Sequence, residues 1–196
     1  MKNGITLYFV RHGQTTWNFD RRIQGQIDTP LNETGRAQAA RNGGALKRLL
    51  GDRITQLPFV SSPLARCRET MEIIRTELSL PQQGYGTDDR LQEIHFGNWQ
   101  ASYWSKVAEE DPAGFGAREK DPFGWRPEGG ESYRDLTARV AAWLEGIHED
   151  TVVVAHGGVS RALRGHVLTL NEADIPELSV PQDKILVLRR DGMEWV

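Results

Sequence analysis

The stretch Ile5-Thr6-Leu7-Tyr8-Phe9-Val10-Arg11-His12-Gly13-Gln14 decides the fold. Ile5 to Val10 is an apolar run with the length and the β-branched and aromatic content of a buried strand. It breaks off at Arg-His-Gly, which sets a guanidinium and an imidazole at the carboxyl edge of a sheet. Ligands of open α/β proteins bind at that edge. Gly13 lets the backbone come close to a ligand. Histidine serves as a nucleophile and arginine as a bidentate phosphate clamp, so the pair points to phosphoryl chemistry. Thr151-Val152-Val153-Val154-Ala155 repeats the arrangement and ends in His156-Gly157-Gly158. A helical pattern of Val159, Ala162, Leu163, His166 and Val167 follows it. Two strands that each end in His-Gly bring both imidazoles to one edge of a parallel sheet. The helix after Gly158 aims its unpaired N–H groups at the same place, a ready anion site.

Between these strands, helical and extended patterns alternate. Asn32 caps a helix running to about Leu50, with Ala39, Gly43, Leu46 and Leu50 on one face. Phe59-Val60-Ser61 is a short strand. Ser62 suits the cap of the next helix, with Pro63 as its first residue and a core stripe of Leu64, Cys67, Met71, Ile74 and Leu78. Arg66 then falls in the first turn, where the helix dipole disfavours a cation unless an anion is present. A third strand is expected at Tyr85 to Thr87. Ser132 and Asp135 form a capping box for a helix that buries Leu136, Val140, Trp143, Leu144 and Ile147. Asp183 to Arg190 reads as the last strand. The stretch 100–131, rich in Pro, Gly and Trp, reads as an irregular lid. The expected architecture is α/β: a single-domain, three-layer α/β/α sandwich over residues 1–196, with a mainly parallel central sheet and this lid inserted.

Composition narrows the function. A chain of 196 residues that is 38% hydrophobic suits one domain with a substantial core. A formal net charge of −3 argues against nucleic acid or an anionic membrane as the main partner. Positive charge for phosphate must therefore be gathered locally, and Arg11, Arg66 and the two histidines would gather it. One cysteine allows no internal disulfide, which fits a reducing compartment. Met1-Lys2-Asn3-Gly4 leads into a strand rather than a signal peptide, and no stretch reaches the length of a membrane span. A cytoplasmic location is expected.

Six segments, in order, resemble the histidine phosphatase superfamily, the phosphoglycerate mutase-like fold. Val10 to Asn18 is similar to the family's opening signature, and Gln24 to Asn32 to the substrate loop after it. Ser61 to Thr70 matches the segment whose phosphate-binding arginine falls on Arg66. Leu91 to Gly97 matches the segment whose proton donor falls on Glu93. Gly129-Gly130-Glu131-Ser132 and Ala155-His156-Gly157-Gly158 complete the set. The resemblance implies a phosphoric monoester hydrolase with a phosphohistidine intermediate. His12 is then the nucleophile, kept neutral by cationic neighbours. Arg11 and Arg66 neutralise the phosphoryl oxygens, with backbone N–H groups near Gly157 adding more. His156 stabilises the transferring group, and Glu93 is general acid and then general base. Asn18, Arg22, Gln24, Gly25 and Gly157 are candidate phosphate or substrate contacts.

The scheme calls for no cofactor and no metal. The expected partner is a small phosphorylated substrate, not nucleic acid or membrane, with self-association into a homo-oligomer left open. Gln24-Gly25-Gln26-Ile27-Asp28 is similar to the phosphatase branch, whereas mutases place an aromatic after the glycine. Phosphoglycerate mutase-type transfer is the alternative, followed by a non-catalytic phosphate-binding protein on the same fold. No G-x-G-x-x-G follows the first strand, which disfavours a dinucleotide-binding module. Trp99-Gln100-Ala101 stands where the family has Trp-Glu-Gly. His95, His148 and His166 read as structural or exposed, and Cys67 as core. Trp99, Trp104 and Trp125 either line the pocket or anchor the lid.

Overall fold

The computed structural model describes residues 1–196. Its centre is a strand pair: β1 (Leu7–Arg11) lies parallel to β4 (Thr151–Ala155), with Leu7 opposite Thr151 and Arg11 opposite Ala155. β2 (Phe59–Ser61) pairs parallel with β4, and β3 (Gly86–Thr87) parallel with β2. On the other side, β5 (Ile185–Arg189) runs antiparallel to β1 and turns back into β6 (Gly192–Trp195). The order across the six-stranded sheet is β3-β2-β4-β1-β5-β6. The expected last strand is thus a hairpin. β6 is short, half exposed and carries Gly, Met and Glu, so its sequence shows no clear two-residue period.

Strand alternation sorts the core into two halves, as side chains of successive residues point to opposite faces. Leu7 and Phe9 of β1, with Val153 and Ala155 of β4, pack against α6 (Tyr133–Glu145) and α7 (Gly157–Leu168). Tyr8, Val10, Val152 and Val154 pack against α2 (Glu33–Leu50) and α3 (Ala65–Glu77). A helical layer therefore covers each face, giving the three-layer sandwich. No helix is long and apolar enough to cross a membrane.

The caps expected at Asn32 and Ser132 form: Asn32 accepts from Gly35 N–H, and Ser132 and Asp135 make a reciprocal capping box. α3 departs from its expected start. It begins at Ala65 behind Leu64, not at Pro63 behind Ser62. The physical reason is long-range, because the Ser62 hydroxyl lies 2.8 Å from His156 Nε2 and only 3.4 Å from the Leu64 N–H. His166, read as structural or exposed, is exposed. A short helix α1 (Thr16–Phe19) also forms, with Thr15 and Asn18 closing a capping box.

The segment 100–131 is more regular than its composition suggests. It carries α4 (Val107–Glu110) and α5 (Pro112–Lys120), the latter capped by Asp111 with Pro112 in its first turn. Ile23, Trp99 and Val107 form a small core beneath it. Trp99 and Trp125 stack with ring centroids 4.5 Å apart, and the Trp99 indole N–H donates to Asp111 at 2.9 Å.

The loop after β1 lies backbone to backbone on α2. A Cβ on Gly35 would strike the Gln14 carbonyl oxygen, and one on Gly13 would strike the carbonyl of Gly35. Gly44 of the same helix has only the Arg48 guanidinium nearby, at 3.6 Å. One substitution should therefore have opposite signs at two positions of one helix. Gly44→Ala is expected to stabilise the protein by up to about 1 kcal/mol through helix propensity. Gly35→Ala should instead destabilise it by about 1–3 kcal/mol through overpacking against backbone. Urea unfolding of both variants checks this; equal shifts of the same sign would exclude the close approach.

Candidate active site

The β1–β4 register sets the site. The ladder runs one step past the strands, with His12 N–H donating to Ala155 O at 2.9 Å. His12 and His156 thus leave neighbouring strands at one height, with ring centroids 5.2 Å apart. A cavity of about 120 Å³ opens above them. Arg11, His12, Asn18, Arg22, Gln24, Gly25, Arg66, Glu93 and Gly157 all line it, so nine of the ten candidate residues converge. The tenth, His156, is fully buried behind His12, outside the cavity wall.

Each side chain is held by a distinct device. His12 Nδ1 is 2.8 Å from the carbonyl oxygen of Gly13. A carbonyl only accepts, so Nδ1 carries the proton and Nε2 keeps its lone pair. Arg11 points into the α6/α7 half, where Nη1 donates to Val180 O at 2.8 Å. The guanidinium lies beside Gly157, where a Cβ would sit 3.6 Å from its central carbon, an ordinary contact. Arg66 is 1% exposed, and its two terminal nitrogens donate to Ile27 O at 2.9 Å and Gly25 O at 2.7 Å. Arg66 Nη1 also lies 3.7 Å from the Asp28 carboxylate, while Glu69 of the same helix pairs with Arg36 at 2.7 Å. Both Arg11 Nε and Arg66 Nε are buried without a protein acceptor. An unsatisfied buried donor costs about 1–3 kcal/mol, which an anion between the two would offset.

Glu93 occupies the anion position that the start of α7 offers. Its carboxylate accepts from Gly158 N–H at 3.0 and 3.2 Å and from Ile94 N–H at 3.0 Å. The Gly158 N–H is thus already used and is not left for phosphate, which corrects the expectation of a free amide cluster there. The loop that carries Glu93 is fixed by Arg139, which the sequence reading missed. Arg139 donates to the carbonyls of Arg90, Gln92 and Glu93 and pairs with Glu131 at 2.8 Å. It lies on the polar side of α6, so periodicity alone gave no signal.

The weaker candidates divide. Asn18 accepts from Thr15 N–H and from the Gln182 amide, which also donates to His12 O. Gln24 accepts from the hydroxyls of Thr15 and Thr29, so it braces the loop as well as lining the cavity. Arg22 donates to Ala101 O and stacks on Trp17, 4.2 Å from the ring centroid. Gly25 has φ +53° and abuts the Gln100 side chain, whose oxygen accepts from Gln26 N–H at 2.8 Å. Ala101 adopts φ +73°, a region that favours the glycine of the family pattern. Trp104 lines the cavity, whereas Trp99 and Trp125 anchor the lid. Phe96, from the Leu91–Gly97 segment, also lines it, as do Tyr133 and Arg161, which carried no motif. His95 accepts from Gly97 N–H, a structural role.

Burial first, then the Arg66 guanidinium, then Arg11 hold His12 well below the ordinary histidine range, against the opposing Gly13 bond. His156 is lowered in the same way by burial, Arg66, His12 and Arg11. Burial lowers Arg11 to about 10, leaving it cationic at neutral pH. The Cys67 thiol, 3.4 Å from His156 Nε2, is pushed up by burial and is an inert packing group.

A sequence profile described as the histidine phosphatase superfamily (branch 1) matches residues 7–196. A protein of Arabidopsis thaliana named metal-independent phosphoserine phosphatase is 37% identical over 163 residues, 80% of this chain and 66% of that protein. Glucosyl-3-phosphoglycerate phosphatase of Mycobacterium tuberculosis is 37% identical over 185 residues, 88% of this chain and 79% of that one. The solved structure of mycobacterial glucosyl-3-phosphoglycerate phosphatase with VO3 superimposes with a TM-score of 0.77 at 33% identity, covering 98% of this chain and 96% of that one.

The two depressed histidines have a consequence for stability. Below about pH 6.5 the unfolded chain binds protons that the folded state refuses, so stability falls as pH drops below that value. The loss should approach about 1.4 kcal/mol per pH unit for each histidine. His12→Gln is expected to remove one proton's worth of that slope between pH 6.5 and 5, read from urea unfolding at each pH. A slope unchanged in the variant would mean that His12 is not held neutral.

Proposed function

This chain belongs to the histidine phosphatase superfamily and is a phosphatase of that type; from this premise we propose a metal-independent phosphomonoesterase that works through a phosphohistidine on His12. The observation that carries the reading is the pair of buried, unpaired Nε–H donors of Arg11 and Arg66 flanking a neutral imidazole. Such a site is short of one anion. A phosphoryl group supplies it, and the arginines then do the charge neutralisation that a metal ion does in other phosphatases.

His12 Nε2 attacks phosphorus in line with the leaving oxygen. The N–P bond forms as the P–O bond breaks, and the leaving oxygen takes the proton of the Glu93 carboxyl. The ring gains positive charge in this step, and the Gly13 carbonyl stabilises its Nδ1–H. Arg11 and Arg66 hold the equatorial oxygens. The Ser62 hydroxyl donates a hydrogen bond to His156 Nε2, which leaves Nδ1–H as the donor toward the transferring group. In the second half a water loses a proton to the Glu93 carboxylate and attacks phosphorus. The N–P bond breaks, releasing inorganic phosphate and neutral His12. The substrate is a small phosphorylated metabolite, in keeping with a cavity of about 120 Å³ for the phosphoryl end.

The intermediate can be trapped. Brief exposure to a phosphate ester in excess EDTA, then an alkaline quench, should leave an acid-labile phosphoryl group on His12. Phosphorus NMR should place it on Nε2. His12→Ala should abolish it, and Cys67→Ser should leave trapping intact. Label on Nδ1, on cysteine or on serine overturns the mechanism, as does a need for added metal.

Glu93 is tested through the leaving group. An alkyl phosphate departs as a basic alkoxide and needs the proton, whereas p-nitrophenyl phosphate departs as a stable phenolate. Glu93→Gln is expected to slow phosphoenzyme formation from alkyl esters about a hundredfold or more, with a much smaller loss for the nitrophenyl ester. Pre-steady-state bursts on the two esters measure this. Equal losses would move the proton donor elsewhere.

A further inference from the structure

We propose that the leaving group of the substrate carries a second anion, which Arg161 reads from an annex beside the phosphate cavity; the inference rests on the phosphatase reading above. A second cavity of about 320 Å³ shares Phe96, Trp104, Tyr133 and Arg161 with the catalytic one. Its remaining wall is Arg118, Pro176 and Glu177. The two cavities therefore adjoin, with the shared residues between them. A phosphate ester seated on His12 sends its leaving group away from that ring. The catalytic cavity is too small to hold much besides the phosphoryl group, so the annex is where the rest goes.

The junction pairs an apolar wall with an uncommitted charge. Phe96 and Trp104 meet edge to face at 5.5 Å and offer a carbon skeleton a surface to lie on. Arg161 is half buried on α7, one turn past Gly157. Its Nε donates to Leu178 O at 2.8 Å and its Nη1 to the Tyr133 hydroxyl at 3.2 Å. Neither partner is a carboxylate, and Nη2 has no protein acceptor. Arg118, across the annex, differs in having Glu177 at 3.6 Å and Trp104 at 5.5 Å. Arg11 and Arg66 already serve the phosphoryl oxygens. Arg22 and Arg161 both line the catalytic cavity without an ion pair, but only Arg161 also lines the annex, held so that Nη2 is directed by two fixed bonds. A planar fork fixed in this way suits a carboxylate or a phosphate. Arg161 is thus a specificity-determining residue, and the preferred substrates are phosphate monoesters with a second anionic group on a short carbon skeleton.

Matched ester pairs test this and separate the two anions. Phosphoserine against phosphoethanolamine, and 3-phosphoglycerate against glycerol 3-phosphate, ask for a carboxylate. Butane-1,4-diol bisphosphate against its monophosphate asks for a phosphate. The wild-type enzyme should favour the anion-bearing member of at least one pair by tenfold or more in kcat/KM, chiefly through KM. Arg161→Gln should cost that member at least tenfold more than its partner, and Arg161→Lys should restore part of the preference. A purely structural arginine would lower both members alike. No preference in the wild-type enzyme, or equal losses in the variant, overturns the proposal. If Arg161→Gln does not fold, the wild-type preference and Arg161→Lys still decide. Hydrolysis of p-nitrophenyl phosphate without anion preference removes the annex reading alone. Failure to hydrolyse any ester removes the phosphatase reading and this inference with it.

Discussion

The parallel pairing of β1 with β4 is the constraint on which the rest of the molecule depends. Arg11 opposite Ala155 and the bond from His12 N–H to Ala155 O put two imidazoles at one height on one sheet edge. A slip of one residue would exchange Leu7 and Phe9 with Tyr8 and Val10 between two differently shaped half-cores. It would also swing Arg11 from the α7 side to the α3 side, away from the Val180 carbonyl that holds it. Register is therefore enforced by packing on both faces, and the chemistry inherits its geometry from the core.

Charge is the second theme. The chain as a whole is net negative, yet the cavity above His12 gathers Arg11, Arg22, Arg66 and Arg161 around one carboxylate, Glu93. Burial and the arginines deny His12 and His156 a second proton, so the site keeps a neutral nucleophile among fixed cations. Holding unpaired guanidinium N–H groups away from water opposes folding. It also means that the donors need not reorganise when charge moves to the phosphoryl oxygens. The backbone takes part too: carbonyls of Gly25 and Ile27 aim Arg66, and the carbonyl of Gly13 fixes the His12 tautomer.

Local signals were legible wherever a residue's partner lies within a turn of itself. The caps at Asn32 and Ser132 and the buried faces of α2 and α6 follow from such short-range rules. The same rules misplace the start of α3. Ser62 has the chemistry of a helix cap, but its hydroxyl is drawn to His156, ninety-four positions away. The start of α7 was read as open to phosphate, and Glu93 from a distant loop fills part of it. The lid was read as irregular, because α4 and α5 are short and take much of their order from the small core around Trp99.

What the sequence determined by itself was the inventory and its order: two strand-His-Gly units, an arginine in a first helical turn, and six family-like segments in succession. These survive because buried-strand patterns and helix-start residues are set by neighbours along the chain. Tertiary structure alone decided which nitrogen of His12 is free, which of three tryptophans faces the cavity, and that Arg139 steadies the loop carrying Glu93. It alone placed Arg161 beside Tyr133, on the walls of both the catalytic cavity and a second one. Each of these is a contact between segments far apart in the chain, and no periodicity along one segment records where another will lie.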